Sequence, residues 1–215
     1  MNYLAHLYLA ERSTDSLIGN LLGDFVKGRL RGQYDADIMQ GIALHRKIDT
    51  FTDAHAITRR SRNLISPGRR RFAGIIVDLG YDHFLARHWH RYTDVELSSF
   101  VGEVYRTLEH HSSILPDNLQ RLLPLMMSED WLGSYADLSG VAKALARISL
   151  RFKRTNNLIG SVAEIERHYE CLENHFVEFF PQAIRFAKQH HRTLGAGTQN
   201  AASCLPDHHL FERSP

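Results

Sequence analysis

Apolar residues recur every three or four positions along most of the chain, and this spacing predicts helices. The first helix is expected over residues 2–11 with Asn2 as its cap, and the second from Ser13 to about Gly28. Sustained alternation of apolar and polar residues is absent, as are the Asn-Gly and Asp-Gly pairs of tight hairpins. The pattern therefore predicts an all-α fold, in the form of a single compact helical domain.

Later segments continue the helical pattern. A helix is predicted from Asp35 or Asp37 to about Thr52, and a short one follows it to Leu64. Further helices are predicted from Arg69 to about Tyr92, from Thr93 or Asp94 to before Pro116, and over 117–127, 131–135 and 139–152. A long last helix is predicted from about Leu158 to His190, bent near Pro181. The composition then turns small and polar, which predicts a helical domain over 1–192 and a mobile tail over 193–215.

One stretch departs from the simple apolar stripe. Ile38, Ile42, His45 and Asp49 share one helix face, because their spacing returns to the same side at 3.6 residues per turn. The isoleucines should face the core, so a histidine and a carboxylate are carried inward with them. Burying an unpaired carboxylate costs several kcal/mol or more. We therefore expect a metal ion or a catalytic site here.

Other predicted helices also place acidic or imidazole side chains on apolar faces. The inward polar set is His6, Asp24, His45, Asp49, Asp78, Asp82 and His83. Helical domains build metal sites in this way, and imidazole and oxygen ligands suit Mn²⁺, Fe²⁺, Mg²⁺ or Zn²⁺. Each residue alone has a simpler explanation, such as a core histidine bonded to a carbonyl or an aspartate paired with an arginine. The agreement of several helices favours a metal or acid–base site.

Composition narrows the class of protein. The chain has 215 residues, 43% hydrophobic and 23% charged, with a net charge of +2, so no bulk charge argues for nucleic acid. Cys171 and Cys204 form no CxxC spacing, which supports neither a disulfide framework nor a thiolate zinc site. No apolar run reaches the roughly 20 residues of a membrane span, and a signal-peptide pattern is absent. We expect a cytoplasmic protein without a membrane partner.

Six arginines fall within thirteen residues around the break at Ser66-Pro67-Gly68. They are Arg59, Arg60, Arg62, Arg69, Arg70 and Arg71. Such a cluster is most often a solvated face. Its density and its closeness to the inward polar residues favour an anionic partner slightly.

Several segments together resemble a known family. They are Met1-Asn2-Tyr3-Leu4-Ala5-His6-Leu7, Gly19-Asn20-Leu21-Leu22-Gly23-Asp24-Phe25-Val26, His45-Arg46-Lys47-Ile48-Asp49 with Thr52-Asp53, Asp82-His83-Phe84-Leu85-Ala86-Arg87-His88-Trp89, Ser128-Glu129-x-Trp131, and the last helix around His168-Tyr169 and from Phe176 to Pro181. Over residues 1 to about 190 the chain resembles the acyl carrier protein phosphodiesterases, which are themselves distantly similar to the HD-domain metal-dependent phosphohydrolases.

The resemblance implies an HD-domain-like helical fold and a divalent metal, Mn²⁺ first, with Mg²⁺ or Fe²⁺ as alternatives. It implies hydrolysis of the phosphodiester that joins 4′-phosphopantetheine to a serine of acyl carrier protein. It also implies His6, Asp24, His45 and Asp78 as metal ligands, and Asp49, Asp82 and His83 as catalytic residues. The chain departs from the HD pattern, because His45 and Asp49 lie one helical turn apart rather than side by side. Asp49 is thus left as a ligand, an orienting residue or a base.

Basic residues complete the expected site. Arg46, Lys47 and Arg87 are candidates, on position alone, for stabilising phosphoryl charge. Acyl carrier proteins are strongly acidic, so Arg59, Arg60, Arg69, Arg70 and Arg71 are the expected docking surface. One alternative is an HD-like phosphohydrolase acting on a nucleotide, although the chain has no GxxxxGK[ST] loop. Another is a non-enzymatic helical module that binds an acidic partner, which leaves the inward acids unexplained. The oligomeric state is not predicted.

Overall fold

The fold is taken from a computed structural model that describes residues 1–30 and 32–201, with side chains up to His191. Its helices are α1 Tyr3–Leu9, α2 Thr14–Leu22, α3 Ala36–Ala54, α4 Ala56–Leu64, α5 Ala73–Arg87, α6 Leu97–His110, α7 Asp117–Ser128, α8 Leu138–Ser149, α9 Val162–Arg167 and α10 Tyr169–Ala201. Short 3₁₀ helices cover Pro67–Phe72, Trp89–Arg91, Ser112–Ile114 and Gly133–Ala136. These residues include no strand, so the predicted all-α fold is confirmed.

Helix α5 lies at the centre of the fold. Its side chains are apolar on nearly every face, and Ile76, Val77, Tyr81, Phe84 and Leu85 are completely buried. A helix that is apolar all round must be covered on all sides, and α5 packs against α1, α4, α8, α9 and α10. Polar residues in the middle of this helix are therefore carried into the protein, as Asp82 and His83 are, whereas Asp78 is partly exposed and Arg87 at its end is exposed.

Helices α2 and α3 approach each other at backbone distance. A Cβ atom placed on Gly41 would lie 2.9 Å from the Cα of Gly19, and one on Gly19 would overlap the carbonyl oxygen of Ile38. Only glycine permits this approach. Farther along, a Cβ on Gly23 would overlap the ring of His45. These glycines thus allow the face of α3 that carries Ile38, Ile42 and His45 to pack closely against α2, and they place His45 beside the end of α2.

Some helix boundaries differ from the prediction. Helix α2 ends at Leu22 rather than near Gly28, so Asp24 follows the helix instead of lying on its stripe. The predicted helix from Arg69 to Tyr92 is divided into α5 and two flanking 3₁₀ helices. Near His168 the last predicted helix breaks into α9 and α10.

Helix α10 includes Pro181 and continues to Ala201, so the first residues of the predicted tail are helical. The rest of that tail, residues 202–215, lies outside the described residues. Within the described part of the chain, no helix combines the length and apolar character needed to cross a bilayer.

Candidate metal centre

Two histidines and one aspartate meet between α1 and α3. The two oxygens of Asp49 each face one histidine: Oδ1 lies 3.0 Å from Nε2 of His6, and Oδ2 lies 3.1 Å from Nε2 of His45. The two imidazole rings are stacked with their centroids 3.7 Å apart. His45 and Asp49 are one turn apart on α3, so a single helix face presents both to the histidine of α1. We call His6, His45 and Asp49 the His–His–Asp cluster.

The cluster is buried on its imidazole side and open on its carboxylate side. The side chains of His6 and His45 are 1% and 2% exposed, whereas that of Asp49 is 42% exposed. Solvent and small solutes can therefore reach the carboxylate, while the surrounding protein fixes both rings. A reaction centre needs this combination of access and rigidity.

The hydrogen bond of His45 decides where its proton lies. Its Nδ1 is 2.7 Å from the backbone oxygen of Asn20, and a carbonyl can only accept, so Nδ1 carries the proton. In the neutral ring Nε2 then presents a lone pair to the carboxylate oxygen of Asp49. Two acceptors 3.1 Å apart require a cation between them, either a proton or a metal ion. Metal-binding histidines commonly donate their other N–H to a backbone carbonyl in this way.

His6 is held as a neutral imidazole. Burial lowers its pKa to about 3, although the hydrogen bond to Asp49 acts in the opposite direction. Its Nδ1 is buried and has no hydrogen-bond partner among the described residues. A neutral ring keeps a lone pair available, which is the protonation state that a metal ligand requires.

Asp49 remains ionised. Burial by itself would raise its pKa, but the contacts with His45 and His6 outweigh burial and hold the pKa well below its ordinary value. Two imidazoles and one carboxylate form a donor set that suits Mn²⁺, Fe²⁺ or Zn²⁺. Their ligand atoms all lie within 4.8 Å of one another. The residues present therefore fit a divalent metal ion, and the facing acceptors and the unpartnered Nδ1 of His6 support this fit.

Two predicted ligands lie at the edge of the cluster. Oδ1 of Asp24 is 3.9 Å from Nε2 of His45, and its side chain is 41% exposed. Burial raises the pKa of Asp24, and His45 partly opposes this rise. Oδ1 of Asp78 lies 3.3 Å from the amino nitrogen of Met1, which is in turn 3.9 Å from Oδ1 of Asp49. Their roles as ligands remain predictions.

Asp82 contacts backbone amides instead of the cluster. It is completely buried, and its oxygens accept hydrogen bonds from the amides of Leu4 at 2.8 Å and Ala5 at 3.2 Å. These are free N–H groups in the first turn of α1, so Asp82 caps the helix that carries His6. Burial raises its pKa to about 7, although the two amides oppose the rise. The catalytic role of Asp82 stays a prediction, while its capping role is direct.

His83 is also fixed by other groups. Its Nδ1 lies 2.8 Å from the backbone oxygen of Tyr135, and its Nε2 lies 3.0 Å from the hydroxyl of Tyr169. Burial lowers its pKa. Both ring nitrogens are thus used in packing contacts, and His83 is not one of the three side chains that meet in the cluster.

The predicted phosphate-binding arginine of α3 has a local role. Arg46 donates to the backbone oxygens of Gly28 and Val26, each at 2.8 Å. It therefore holds the loop between α2 and α3 in place. Two charge-assisted bonds to carbonyls leave this guanidinium less able to turn toward a ligand.

Three of the five arginines of the predicted docking surface have hydrogen-bond or ion-pair partners within the protein. Arg69 pairs with the buried Glu164 at 3.2 Å, Arg60 pairs with Glu178 at 2.7 Å, and Arg70 donates to Asn63 at 3.1 Å. Arg59 and Arg71 are exposed. The local partners offset part of the positive charge that the sequence suggested, and the docking role of the group remains a prediction.

Two other arginines lie near the cluster and were missed by the sequence prediction. Arg147 and Arg151 line a cleft that also includes Asp24 and Asp78. The available signal was their spacing of four residues at the end of an amphipathic helix, which also describes an ordinary solvated face. Trp131 lines the same cleft and belongs to the Ser128-Glu129-x-Trp131 segment, for which the sequence predicted no role.

Comparison with known proteins identifies a family for this chain. The family model described as "Acyl carrier protein phosphodiesterase" matches residues 1–183. A protein of that name from Serratia proteamaculans is 40% identical over 189 residues, which cover 87% of this chain and 98% of the relative. Another from Photorhabdus laumondii is 38% identical, covering 87% of this chain and 96% of the relative. No solved structure matches the chain.

These matches first define a class: the chain is a phosphoric diester hydrolase built entirely from helices over its described residues. More narrowly, it belongs to the acyl carrier protein phosphodiesterase family.

Proposed function

We propose that the chain is a metal-dependent phosphodiesterase that acts on holo-acyl carrier protein. It hydrolyses the phosphodiester between 4′-phosphopantetheine and the carrier serine, releasing apo-carrier protein and 4′-phosphopantetheine. The observation that carries the metal requirement is the 3.1 Å distance between Nε2 of His45 and the Asp49 carboxylate, with Nδ1 of His45 hydrogen-bonded to the backbone oxygen of Asn20. The names of the relatives support the substrate. Mn²⁺ is the proposed metal, with Mg²⁺ or Fe²⁺ as alternatives, and the cytoplasm is the proposed location.

Different residues would bind the metal, orient its ligands and accept the proton. His6, His45 and Asp49 would hold the metal ion, which when bound supplies a water of lowered pKa and shields the phosphoryl oxygens. The carbonyl of Asn20 fixes the ring of His45 by its hydrogen bond at 2.7 Å. Asp24 supplies a further carboxylate 3.9 Å from that ring, as an additional ligand or as the acceptor of the proton from the attacking water. Asp82 acts at a distance by capping the helix of His6.

The carrier protein would approach through charge. It is strongly acidic, and the exposed Arg59 and Arg71 offer complementary charge on the surface of this chain. Such contacts mainly raise the rate of encounter and weaken as salt increases.

Mass spectrometry of holo-carrier protein incubated with this protein and Mn²⁺ tests the reaction. We expect the carrier to lose the mass of phosphopantetheine, and we expect a chelator to prevent the loss. Asp49→Asn should be inactive, whereas Asp37→Asn, an exposed site on the same helix, should be active. An unchanged carrier mass with every divalent metal would contradict the proposal. Parallel incubations with nucleotides would reveal the alternative substrate class.

A further inference from the structure

A cleft of about 200 Å³ adjoins the His–His–Asp cluster. It lies among the first residues of the chain, α5 and α8. Its lining includes Asp24, Asp78, Trp131, Tyr135, Arg147 and Arg151. No residue of the sequence-predicted phosphate-binding or docking set lines it.

Two residues of the cleft, Asp24 and Met1, lie next to the cluster. Asp24 lines the cleft, and its Oδ1 is 3.9 Å from Nε2 of His45. Met1 also lines the cleft, and its amino nitrogen is 3.9 Å from Oδ1 of Asp49. A ligand in the cleft would therefore have one end within a few ångströms of the proposed reaction centre.

Arg147 is held in a fixed position at the cleft. Its guanidinium carbon lies 4.1 Å from the ring centroid of Trp131, and its Nη1 donates to Oε2 of Glu129 at 2.7 Å. The indole N–H of Trp131 donates to the same carboxylate oxygen at 2.9 Å. The arginine side chain is only 21% exposed. Glu129 and Trp131 thus both contact the guanidinium of Arg147 and limit its motion.

The contacts with Glu129 and Trp131 leave N–H donors of Arg147 available to a ligand. A guanidinium has five N–H donors, and among the described residues only its Nη1 group has a hydrogen-bond partner. An arginine held over an aromatic ring and offering several donors is suited to phosphate oxygens. A partly exposed ion pair contributes little to stability, so stability alone gives weak reason for this arrangement.

Arg151 brings a second positive charge. It lies four residues beyond Arg147, just past the end of α8 at Ser149, and is exposed. Burial raises the pKa of Tyr3, Asp24 raises it further, and Arg151 opposes the rise, so both charges act on the tyrosine hydroxyl. The cations offset the carboxylates of Asp24 and Asp78, which would otherwise repel an anion.

We propose that this cleft binds the phosphate end of the substrate and the adjoining pantetheine arm, with Arg147 and Arg151 contacting the phosphate and Trp131 and Tyr135 contacting the arm. The inference rests on the proposed function, because the substrate is the phosphodiester named there. It assigns the Glu129-x-Trp131 motif a positioning role: the motif orients the arginine that recognises the phosphate.

Two free compounds that differ in the phosphate group test the inference. We would measure binding of 4′-phosphopantetheine and of pantetheine by calorimetry, with Mn²⁺ present, and inhibition of holo-carrier hydrolysis by each. Wild-type protein should bind 4′-phosphopantetheine more tightly. Arg147→Ala should reduce that affinity about tenfold or more, as expected for a charge-assisted hydrogen bond to phosphate, and should change pantetheine binding little. Arg151→Ala should act in the same direction.

Matched variants separate binding from folding. Arg121→Ala removes the same charge from an exposed position of α7 outside the cleft and should leave both affinities unchanged. Arg147→Lys keeps the charge but loses the planar fork, and it should recover part of the affinity. Arg151 is exposed, so its alanine variant supplies a test even if the Arg147→Ala protein does not fold.

The outcomes distinguish the two proposals. If wild-type protein hydrolyses holo-carrier protein but Arg147→Ala and Arg151→Ala keep the wild-type preference for 4′-phosphopantetheine, the cleft assignment is wrong and the proposed function stands. If wild-type protein neither hydrolyses holo-carrier protein nor binds 4′-phosphopantetheine, both are wrong. A preference for phosphate that disappears in the arginine variants alone supports the cleft.

Discussion

Replacing Asp82 with asparagine should remove a large part of the pH dependence of stability between about pH 4 and about pH 7. The carboxyl group is completely buried, and burial raises its pKa from the ordinary 3.8 to about 7. The hydrogen bonds from Leu4 and Ala5 favour the ionised form and only partly offset this rise. Asparagine has nearly the same shape but does not titrate, so it isolates the contribution of the proton.

The sign and size follow from the two pKa values. Between them the folded protein holds a proton that the unfolded chain has lost, so the free energy of unfolding decreases as pH rises through this window. Since each pKa unit corresponds to 1.36 kcal/mol, the rise to about 7 gives at most about 4 kcal/mol. The wild-type protein should therefore lose up to this amount relative to Asp82→Asn on going from acid to neutral pH.

Urea unfolding of both proteins at about pH 5 and about pH 8, in the presence of a chelator, measures the effect. The chelator keeps metal binding from contributing, and all other titrating groups are common to both proteins. We expect the difference in unfolding free energy, wild type minus variant, to fall by about 2–3 kcal/mol between the two pH values, because pH 5 lies about two units below the raised pKa. An equal difference at both pH values would show that Asp82 is ionised throughout, and that the amides of α1 outweigh burial.

Three further outcomes are expected. Asp49→Asn should abolish hydrolysis and Mn²⁺-induced stabilisation, while its unfolding midpoint without metal stays within a few degrees of wild type. If Mn²⁺ stabilised the variant as much as it stabilises the wild-type protein, the ligand role would be contradicted. Arg46→Ala should lower the free energy of unfolding by about 1–3 kcal/mol, because it removes two bonds to loop carbonyls; a loss of turnover with unchanged urea stability would instead favour phosphate binding. Arg59→Glu with Arg71→Glu should raise KM for the carrier protein several-fold and flatten its dependence on salt, with kcat unchanged; the same KM as an Arg121→Glu control would exclude these residues from docking.

The sequence pattern predicted the parts of the site that lie on a single helix. The stripe of α3 was correctly predicted to face inward, since Ile38, Ile42 and His45 are buried. The partner of that stripe was not predictable, because the stacking of His6 on His45 depends on how α1 crosses α3. The prediction that Asp24 lies within α2 was wrong, because α2 ends at Leu22 and the next residue, Gly23, packs against the His45 ring.

Residues of the same type on the same helix proved to have different partners. Asp78 and Asp82 lie one turn apart on α5, yet the first contacts the amino group of Met1 and the second caps α1. Helical periodicity gives the direction of a side chain but not the group that it meets. Arg147 was overlooked for the same reason, because its relation to Asp24 depends on long-range packing that brings α8 beside the start of the chain.

Titration of Mn²⁺ into chelator-treated protein, followed in parallel by hydrolysis of holo-carrier protein, tests the central claim most directly. The His–His–Asp cluster predicts that activity is absent without metal and returns in proportion to bound Mn²⁺. It also predicts that Asp49→Asn neither binds the ion with wild-type affinity nor recovers activity. Full hydrolysis by metal-free protein of normal stability, or equal Mn²⁺ binding by wild type and Asp49→Asn, would contradict the claim.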